Sequence, residues 1–237
     1  MKFYTEIANY YDEIFQRNED ELNFLKDIAG KPIKSILDIA CGTGENAIAL
    51  NEVGHIVTGI DLNRSMIAAL KKKSLKIDSY VMNMLHIDNL RSSFDLIYSV
   101  GNSIVHLDNN EEIYTFFKKA YDSLNYGGKF VIQIVNYDRI LNHDIKSLPT
   151  IKNSERGIEF IRNYRYDADR DKVEFEAILK TQAIEIGNKV FLFPLRQESL
   201  EKLLKDAGFK DIEYFGSFKK DEFDIDKSFH LISLAFK

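Results

Sequence analysis

The sequence predicts an α/β fold, in which a largely parallel sheet carries helices on both faces and a smaller antiparallel sheet is inserted late in the chain. Short apolar segments alternate with helical segments as far as residue 136, which is the pattern of βαβ units. Between residues 157 and 195, apolar and polar residues alternate, as in antiparallel strands. The last two apolar segments are joined by a loop too short for a crossover helix, so we expect them to pair antiparallel.

The elements of the first part follow from periodicity and from turn residues. A helix is expected to end before Gly30 and Pro32, another before Gly54, and Ser65 is a suitable N-cap. Helices are predicted at residues 5–15, 19–28, 45–53, 65–73 and 111–124. Strands are predicted at residues 35–40, 55–61, 77–82, 94–100 and 129–136.

The later part of the chain changes its period. The stretch GIEFIRNYRYDADRDKVEFEAILKTQAIEIGNKVFLFPL, residues 157–195, alternates in hydrophobicity around two turn-like segments, ADRD and IGNK. A helix is predicted at 197–207, with Gly208 as its cap, and strands at 210–218 and 229–236. We therefore expect residues 1–145 and 196–237 to form one sheet domain, and residues 146–195 to form an inserted antiparallel β cover over its site.

Composition excludes several classes of protein. No apolar run approaches the ~20 residues that a membrane-spanning helix needs. The single cysteine, Cys41, excludes an internal disulfide and a cysteine-built zinc site, and no other metal site is indicated. A net charge of −5 argues against binding to nucleic acid or anionic membrane. We expect a cytoplasmic protein, monomeric or homodimeric, whose partner is a small molecule.

The stretch SILDIACGTGENAIAL, residues 35–50, predicts a ligand site. Gly42 and Gly44 permit a tight turn after an apolar strand, and they leave backbone N–H groups open to a ligand at the carboxyl edge of the sheet. The next strand ends in Asp61, whose carboxylate is suited to accept hydrogen bonds from both hydroxyls of a ribose. Together these features indicate a cofactor that contains a nucleoside.

The charges of the residues around the glycine loop help to identify which cofactor this is. The segment GTGENA satisfies the dinucleotide fingerprint with Ala47 at its third position, so an NAD-dependent oxidoreductase is an alternative. Against it stand Glu45, where a pyrophosphate would meet the helix, Asp38 at the end of the first strand, and the terminal antiparallel pair. A cationic ligand without phosphate suits this acidic corner better, and S-adenosylmethionine has that chemistry.

These residues also carry a family resemblance. LDIACGTG together with GIDLNRSMI closely resembles the first two motifs of the class I S-adenosylmethionine-dependent methyltransferases. The resemblance extends over the chain before the inserted sheet and over the closing segments LEKLLKDAGFKDIEYFGSF and FHLISLAFK. It implies a Rossmann-like seven-stranded sheet of order 3-2-1-4-5-7-6 with strand 7 antiparallel. The stretches FDLIYSVGNSIVHL and NYDRIL resemble glycine N-methyltransferase and its small-molecule relatives, which implies methylation of an amine nitrogen with S-adenosylhomocysteine as product.

The resemblance also assigns cofactor contacts. Asp61 would hold the ribose, Asn83 and Met84 would flank the adenine, and Ala40 and Gly42 would follow the methionine part. Asn83 stands where many relatives carry aspartate, a departure that fits the glycine N-methyltransferase pattern. The full cofactor-binding set implied by the resemblance is Tyr11, Arg17, Ala40, Cys41, Gly42, Gly44, Asp61, Leu62, Asn83, Met84, Val100, Gly101 and Asn102.

Two of these assignments concern the first helical region. Tyr11, or alternatively Tyr10 or Tyr4, would close over the sulfonium, because the face of an aromatic ring attracts a cation. Arg17 would pair with the carboxylate of the cofactor.

Substrate residues follow from position in the predicted sheet. His106 lies just past the fourth strand at the carboxyl edge and is the candidate catalytic base, with a purely structural role as the alternative. Asn102, His106, Arg139 and Tyr164 are the candidate substrate-binding residues. Besides the oxidoreductase, a second alternative is a non-catalytic cofactor-binding protein that uses Phe175, Phe191 and Phe193 of the insertion for docking.

Overall fold

The computed structural model describes residues 2–237, with side chains from Thr5 onward, and contains two sheets. Seven strands form the main sheet and four form a smaller one. In chain order the strands are β1 (Ser35–Ile39), β2 (Ile56–Asp61), β3 (Asp78–Val81), β4 (Phe94–Ser99), β5 (Leu124–Val135), β6 (Ser147–Asn153), β7 (Ile158–Asp167), β8 (Lys172–Lys180), β9 (Glu185–Leu192), β10 (Ile212–Phe215) and β11 (His230–Phe236).

The main sheet has the order β3-β2-β1-β4-β5-β11-β10. Strands β1 to β5 pair in parallel, and β11 is antiparallel to both β5 and β10. Numbered by their sequence within this sheet, the strands run 3-2-1-4-5-7-6, which confirms the predicted topology. The strand order reverses between β1 and β4, and this switch point opens a crevice at the carboxyl edge, where ligands bind in such sheets.

The smaller sheet has the order β6-β7-β8-β9, and all of its pairs are antiparallel. This confirms the predicted change from βαβ units to a meander, but the turn predicted at IGNK is wrong, because β8 and β9 are joined at residues 181–184 and IGNK lies within β9. Along β7 the residues Phe160 and Tyr164 are buried, and they pair across the sheet with Leu179 and Phe175 of β8. One face of the small sheet is therefore packed against the rest of the molecule.

The helices are α1 (Lys2–Ile7), α2 (Tyr11–Ile14), α3 (Glu19–Ala29), α4 (Glu45–Glu52), α5 (Arg64–Lys73), α6 (Asn110–Ser123), α7 (Tyr137–Asn142) and α8 (Gln197–Ala207). The single helix predicted at residues 5–15 is wrong, because a turn at residues 8–10 divides it into α1 and α2. The N-cap of α5 is Asn63 rather than Ser65, since the Asn63 Oδ1 accepts from the Ser65 N–H at 2.8 Å.

Three layers of apolar contacts hold the fold together. One face of the main sheet packs on α6 and α8 through an aromatic group that includes Phe116, Phe117, Phe130 and Phe209. The opposite face packs on α3 and α4. The N-terminal helices contribute Ile7 and Ile14 to a third cluster with the small sheet. Helices α1 and α2 and the small sheet are thus joined to one another by apolar contacts.

Among the helices formed by residues 2–237, none is long and apolar enough to cross a membrane.

Candidate active site

A cavity of about 400 Å³ opens at the carboxyl ends of β1, β2 and β4, and its size is in the range of small-molecule sites. The main sheet supplies its floor, α2 one wall, and β9 of the small sheet part of its cover. It is lined by Tyr11, Ala40, Gly42, Ile60, Asp61, Leu62, Asn63, Met66, Met82, Asn83, Met84, Leu85, Gly101, Ser103, His106, Leu107, Asp108, Glu112, Asn188 and Val190.

The loop after β1 forms one side of this cavity. Gly42 has a φ of +55°, and a Cβ at this position would lie 3.3 Å from the ring of Tyr11. Gly44 has a φ of +85° and begins α4, but a Cβ there would lie 1.7 Å from Leu70 Cδ1. Gly42 therefore permits Tyr11 to lie over the loop. Gly44 is needed for the packing of α4 on α5 rather than for contact with a ligand.

Asp61, the last residue of β2, faces the glycine loop. Its Oδ2 accepts from the Gly42 N–H at 3.0 Å and its Oδ1 from the Asn63 N–H at 2.7 Å. Burial raises the pKa of this carboxyl, while the two backbone hydrogen bonds oppose the shift. A carboxylate has about four acceptor positions, so two remain for hydroxyl groups in the cavity.

Two further acids lie behind the loop. Asp38 on β1 is 3% exposed, and burial raises its pKa to about 7, with Glu21 and Asp61 acting in the same direction. Burial also raises the pKa of Glu21, which accepts a hydrogen bond from Asn46 Nδ2 at 2.6 Å. A cation bound beside these carboxyls would favour their ionised forms, so the corner around the glycine loop suits a cationic ligand.

His106 lines the opposite end of the cavity. It ends a 3₁₀ turn, Ile104–His106, and its N–H donates to the Ser103 carbonyl. The adjacent Val105 carbonyl accepts from the Phe193 N–H at 2.8 Å, which ties this turn to the segment after β9. Burial lowers the pKa of the His106 imidazole, so the ring is neutral at pH 7.

Solved structures share this architecture. The CcbJ methyltransferase from Streptomyces caelestis aligns with a TM-score of 0.82 and 19% identity, covering 98% of this chain and 97% of that one. An S-adenosylmethionine-dependent methyltransferase from Clostridium acetobutylicum aligns with a TM-score of 0.83 and 16% identity, covering 98% of both. At these identities the likeness shows the fold.

Sequence comparison adds the family. A glycine/sarcosine N-methyltransferase from Aphanothece halophytica is 27% identical over 214 residues, which cover 88% of this chain and 78% of that protein. Residues 36–128, which include the glycine loop and Asp61, match a family model described as a methyltransferase domain. Together, these matches support a class I S-adenosylmethionine-dependent methyltransferase. Neither the oxidoreductase nor the non-catalytic alternative is supported by these matches.

The cofactor of the methyltransferase is S-adenosylmethionine, and the residues present fit it. Asp61 keeps acceptor positions for the two ribose hydroxyls, and the buried acids beside it favour the positive sulfonium. No lysine or arginine lines the cavity among the side chains from Thr5 onward. A pyrophosphate would need such a counter-charge, and S-adenosylmethionine has no pyrophosphate.

The carboxylate of Glu45 at the start of α4 has a cationic partner, contrary to the prediction from the sequence. Glu45 is not an isolated carboxylate that would repel a pyrophosphate, because it pairs with Lys73 at 2.7 Å. Lys73 also pairs with Asp12 of α2 at 2.6 Å, and Asp12 accepts a hydrogen bond from the Thr43 hydroxyl. These contacts neutralise part of the negative charge at the start of α4. They also fasten α2 to the glycine loop of the methyltransferase.

The structure brings together most of the residues proposed from the sequence. The ones that line the cavity are Tyr11, Ala40, Gly42, Asp61, Leu62, Asn83, Met84, Gly101 and His106. The Asn83 Oδ1 also accepts from the Leu85 N–H at 2.9 Å, which fixes the start of the turn that follows β3. Their individual roles toward the cofactor remain predictions.

Five cofactor candidates lie outside the cavity lining, and one of them, Asn102, is described with the substrate candidates below. Arg17 pairs with Glu19 at 2.9 Å on the surface. Cys41 is turned toward Gly59, and burial raises the pKa of its thiol. Gly44 packs on α5, as described above, and Val100 packs in the apolar layer beneath α3 and α4. Contacts with neighbouring protein residues, rather than with the cavity, account for the position of each of these residues.

The aromatic alternatives to Tyr11 are also placed. Tyr10 packs in the apolar cluster that α1 and α2 form with the small sheet. The side chain of Tyr4 lies outside the described residues.

Three substrate candidates lie outside the cavity lining as well. Asn102 turns toward β5, where its Oδ1 accepts from the Val135 N–H and its Nδ2 donates to the Tyr137 hydroxyl. Arg139 is half-buried on α7. Tyr164 stacks near Phe175 and lines a separate cavity of about 230 Å³.

Several residues that line the cavity were not among the site residues predicted from the sequence. Asn63 lies two residues after Asp61 in GIDLN, so the motif indicates its position near the carboxyl end of β2. Glu112 accepts from the Asp108 N–H at 2.9 Å at the start of α6, which is a capping pattern. Asn188 and Val190 alternate along β9 and so share one face. The alternation of residues along a strand shows which side chains share a face, but it does not show which face covers the cavity.

Proposed function

We propose that this methyltransferase transfers the methyl group of S-adenosylmethionine to an amine nitrogen of a small molecule. The observation that carries the proposal is that His106, whose imidazole has a lowered pKa, lines the same cavity as Asp61. The glycine/sarcosine N-methyltransferase from Aphanothece halophytica, whose name states amine methylation, supports it.

The residues of the chain would hold the cofactor and exclude water. S-Adenosylmethionine supplies a methyl group already activated by a positive sulfur, so alignment of the acceptor is the main task of the protein. Asp61 would accept from the ribose hydroxyls, and Asn83 and Met84 would border the adenine. Tyr11 would cover the sulfonium with its ring, because it lies on Gly42.

His106 would act on the acceptor side. An amine must present its lone pair, and therefore it reacts in its unprotonated form. A neutral imidazole can accept a hydrogen bond from the amine N–H, orient the nitrogen and take up the proton lost after transfer. Because the pKa of His106 is lowered, this acceptor capacity persists at pH 7 and is lost only as the pH falls through that lowered value.

The charges around the cavity favour an acceptor amine without a carboxylate. Asp61, Asp108 and Glu112 line the cavity, whereas no lysine or arginine does so among the side chains from Thr5 onward. A carboxylate on the acceptor would enter this environment without a counter-ion, which is costly. We therefore expect neutral or cationic amines, such as amino alcohols and amino sugars, to be better acceptors than glycine or sarcosine.

The test is a panel of amines and hydroxyl compounds assayed for release of S-adenosylhomocysteine. The panel contains glycine, sarcosine, amino alcohols, amino sugars and hydroxylated compounds that lack an amine. With the best acceptor, His106→Asn should lower kcat/KM by about a hundredfold, the lower end of the range for a general base. The surface variant His143→Asn is the matched control, since His143 lies at the surface beside Asp226, and it should retain wild-type turnover.

Two results would contradict the proposal. One is preferential methylation of the hydroxylated compounds, which would move the reaction from nitrogen to oxygen. The other is wild-type turnover by His106→Asn, which would remove the acceptor-side role of the imidazole. Faster turnover of glycine than of the amino alcohols would contradict the charge argument alone.

A further inference from the structure

The turn after β4 is a wall of the cavity with an unusual backbone. Gly101 has a φ of +82° and Asn102 a φ of +67°, so two consecutive residues adopt the left-handed region. For asparagine this conformation is tolerated but not favoured, and it persists where surrounding contacts fix it. Gly101 and Ser103 line the cavity. The shape of this wall therefore depends on whatever holds the turn.

Gln133 of β5 supplies two of the contacts that hold it. Its side-chain Oε1 accepts from the Gly101 N–H at 2.6 Å, and its backbone carbonyl accepts from the Asn102 N–H at 3.2 Å. Gln133 is 4% exposed within the apolar run FVIQIV, where a long polar side chain is costly to bury unless it is hydrogen-bonded.

His230 of β11 fixes the orientation of that side chain. The Gly101 N–H can only donate, so the amide must present Oε1 to it and direct Nε2 the other way. Nε2 lies 2.9 Å from His230 Nδ1, which must then accept. Burial, together with the nearby Arg162, lowers the pKa of His230 to about 4, so the imidazole is neutral at pH 7 and has a lone pair to offer.

We infer that Gln133 is a positioning residue of the active site: it holds the Gly101 peptide in place against the cofactor, and His230 sets the orientation of the Gln133 amide. The chain of contacts runs from β11 through β5 to the cavity wall, over side chains buried in the main sheet. Neither residue touches the reacting atoms. The inference rests on the use of this cavity for methyl transfer, which the proposed function describes.

The first test measures binding of S-adenosylhomocysteine by calorimetry, which needs no acceptor. In Gln133→Met the Gly101 N–H loses the side-chain acceptor that fixes the turn, so we expect about tenfold weaker binding. Gln133→Glu keeps an acceptor oxygen at the same place and should restore most of the affinity. The control is Ile134→Met, a fully buried position next along β5 whose change also puts methionine into the strand. It should bind like the wild type.

The second test asks whether His230 acts through Gln133. The His230→Phe variant removes the acceptor of Nε2 while keeping an aromatic ring, and we expect binding several-fold weaker than in the wild type. Combined with Gln133→Met, it should add no further loss, because the side chain it orients is gone. Melting temperatures of all variants separate loss of fold from loss of positioning.

Wild-type binding by Gln133→Met would overturn the inference, and so would an equal loss in Ile134→Met. Fully additive losses in the double variant would overturn the role of His230. If Gln133→Met does not fold, His230→Phe and Gln133→Glu still decide the question. If no amine in the panel is methylated, the proposed function fails while this binding test remains valid.

Discussion

Replacing Asp38 by asparagine tests whether the burial of this carboxyl makes the free energy of unfolding depend on pH. Burial raises the pKa of Asp38 from 3.8 to about 7. Between these two values the folded protein holds a proton that the unfolded chain releases. The unfolding free energy therefore falls as the pH rises from about 4 to 7 and is level above that.

The size of the effect follows from the shift. One pKa unit corresponds to about 1.4 kcal/mol, so the full shift corresponds to about 4 kcal/mol. About 3 kcal/mol of this falls between pH 5 and pH 8, because part of the loss has already occurred below pH 5. Asparagine has no proton to lose, so this contribution is absent from the Asp38→Asn variant.

The assay is urea denaturation at pH 5 and at pH 8. From pH 5 to pH 8, the free energy of unfolding should fall by about 3 kcal/mol more in the wild type than in Asp38→Asn. Asp206→Asn, at an exposed position on α8, controls for the loss of one carboxylate and should follow the wild type. Equal pH dependence of the wild type and Asp38→Asn would refute the reasoning.

Two further predictions concern the glycine loop and its cover. Gly44→Ala should lower the free energy of unfolding by more than Gly54→Ala does. Both glycines have a positive φ, but only at Gly44 would the added Cβ meet a neighbour, Leu70 Cδ1, at 1.7 Å. Equal losses of unfolding free energy in urea denaturation would contradict the packing role of Gly44. Asp12→Ala removes the contacts that fasten α2 to the glycine loop, so S-adenosylhomocysteine should bind several-fold more weakly with little change in melting temperature. The control is Asp122→Ala on the surface of α6, and an equal loss of affinity in this variant would contradict the prediction.

The parts of the site that the sequence predicts correctly are local in the chain. Ala40, Gly42 and Asp61 end two neighbouring parallel strands, and parallel strands bring their carboxyl ends to the same edge. A strand boundary alone therefore places them in the cavity. The same reasoning placed His106 beyond β4.

The residues whose placement differs depend on contacts far apart in the chain or on the direction of a side chain. Arg17 has the charge that a cofactor carboxylate needs, but Glu19 is its partner. Asn102 stands at the expected place, and its left-handed backbone directs the side chain to Val135 of β5. The direction of the Asn102 side chain cannot be predicted without knowing how β4 and β5 lie together.

The insertion shows a different limit. Its antiparallel strands were predictable from alternation, since a period of two is a property of the sequence itself. Which face lies over the cavity is decided by packing against α1 and α2, where Ile7 and Ile14 meet Phe160 and Leu179. Asn188 and Val190 reach the cavity as a consequence, whereas Tyr164 lines another one.

The most direct test of the account is a calorimetric titration of the wild type and Asp61→Asn with S-adenosylhomocysteine, and of the wild type with NAD. Asp61 is expected to offer charged acceptors to the ribose, so the wild type should bind and Asp61→Asn should bind at least tenfold more weakly. NAD should give no binding heat. Equal affinity in the two proteins, or saturable binding of NAD, would contradict the assignment of this cavity to S-adenosylmethionine.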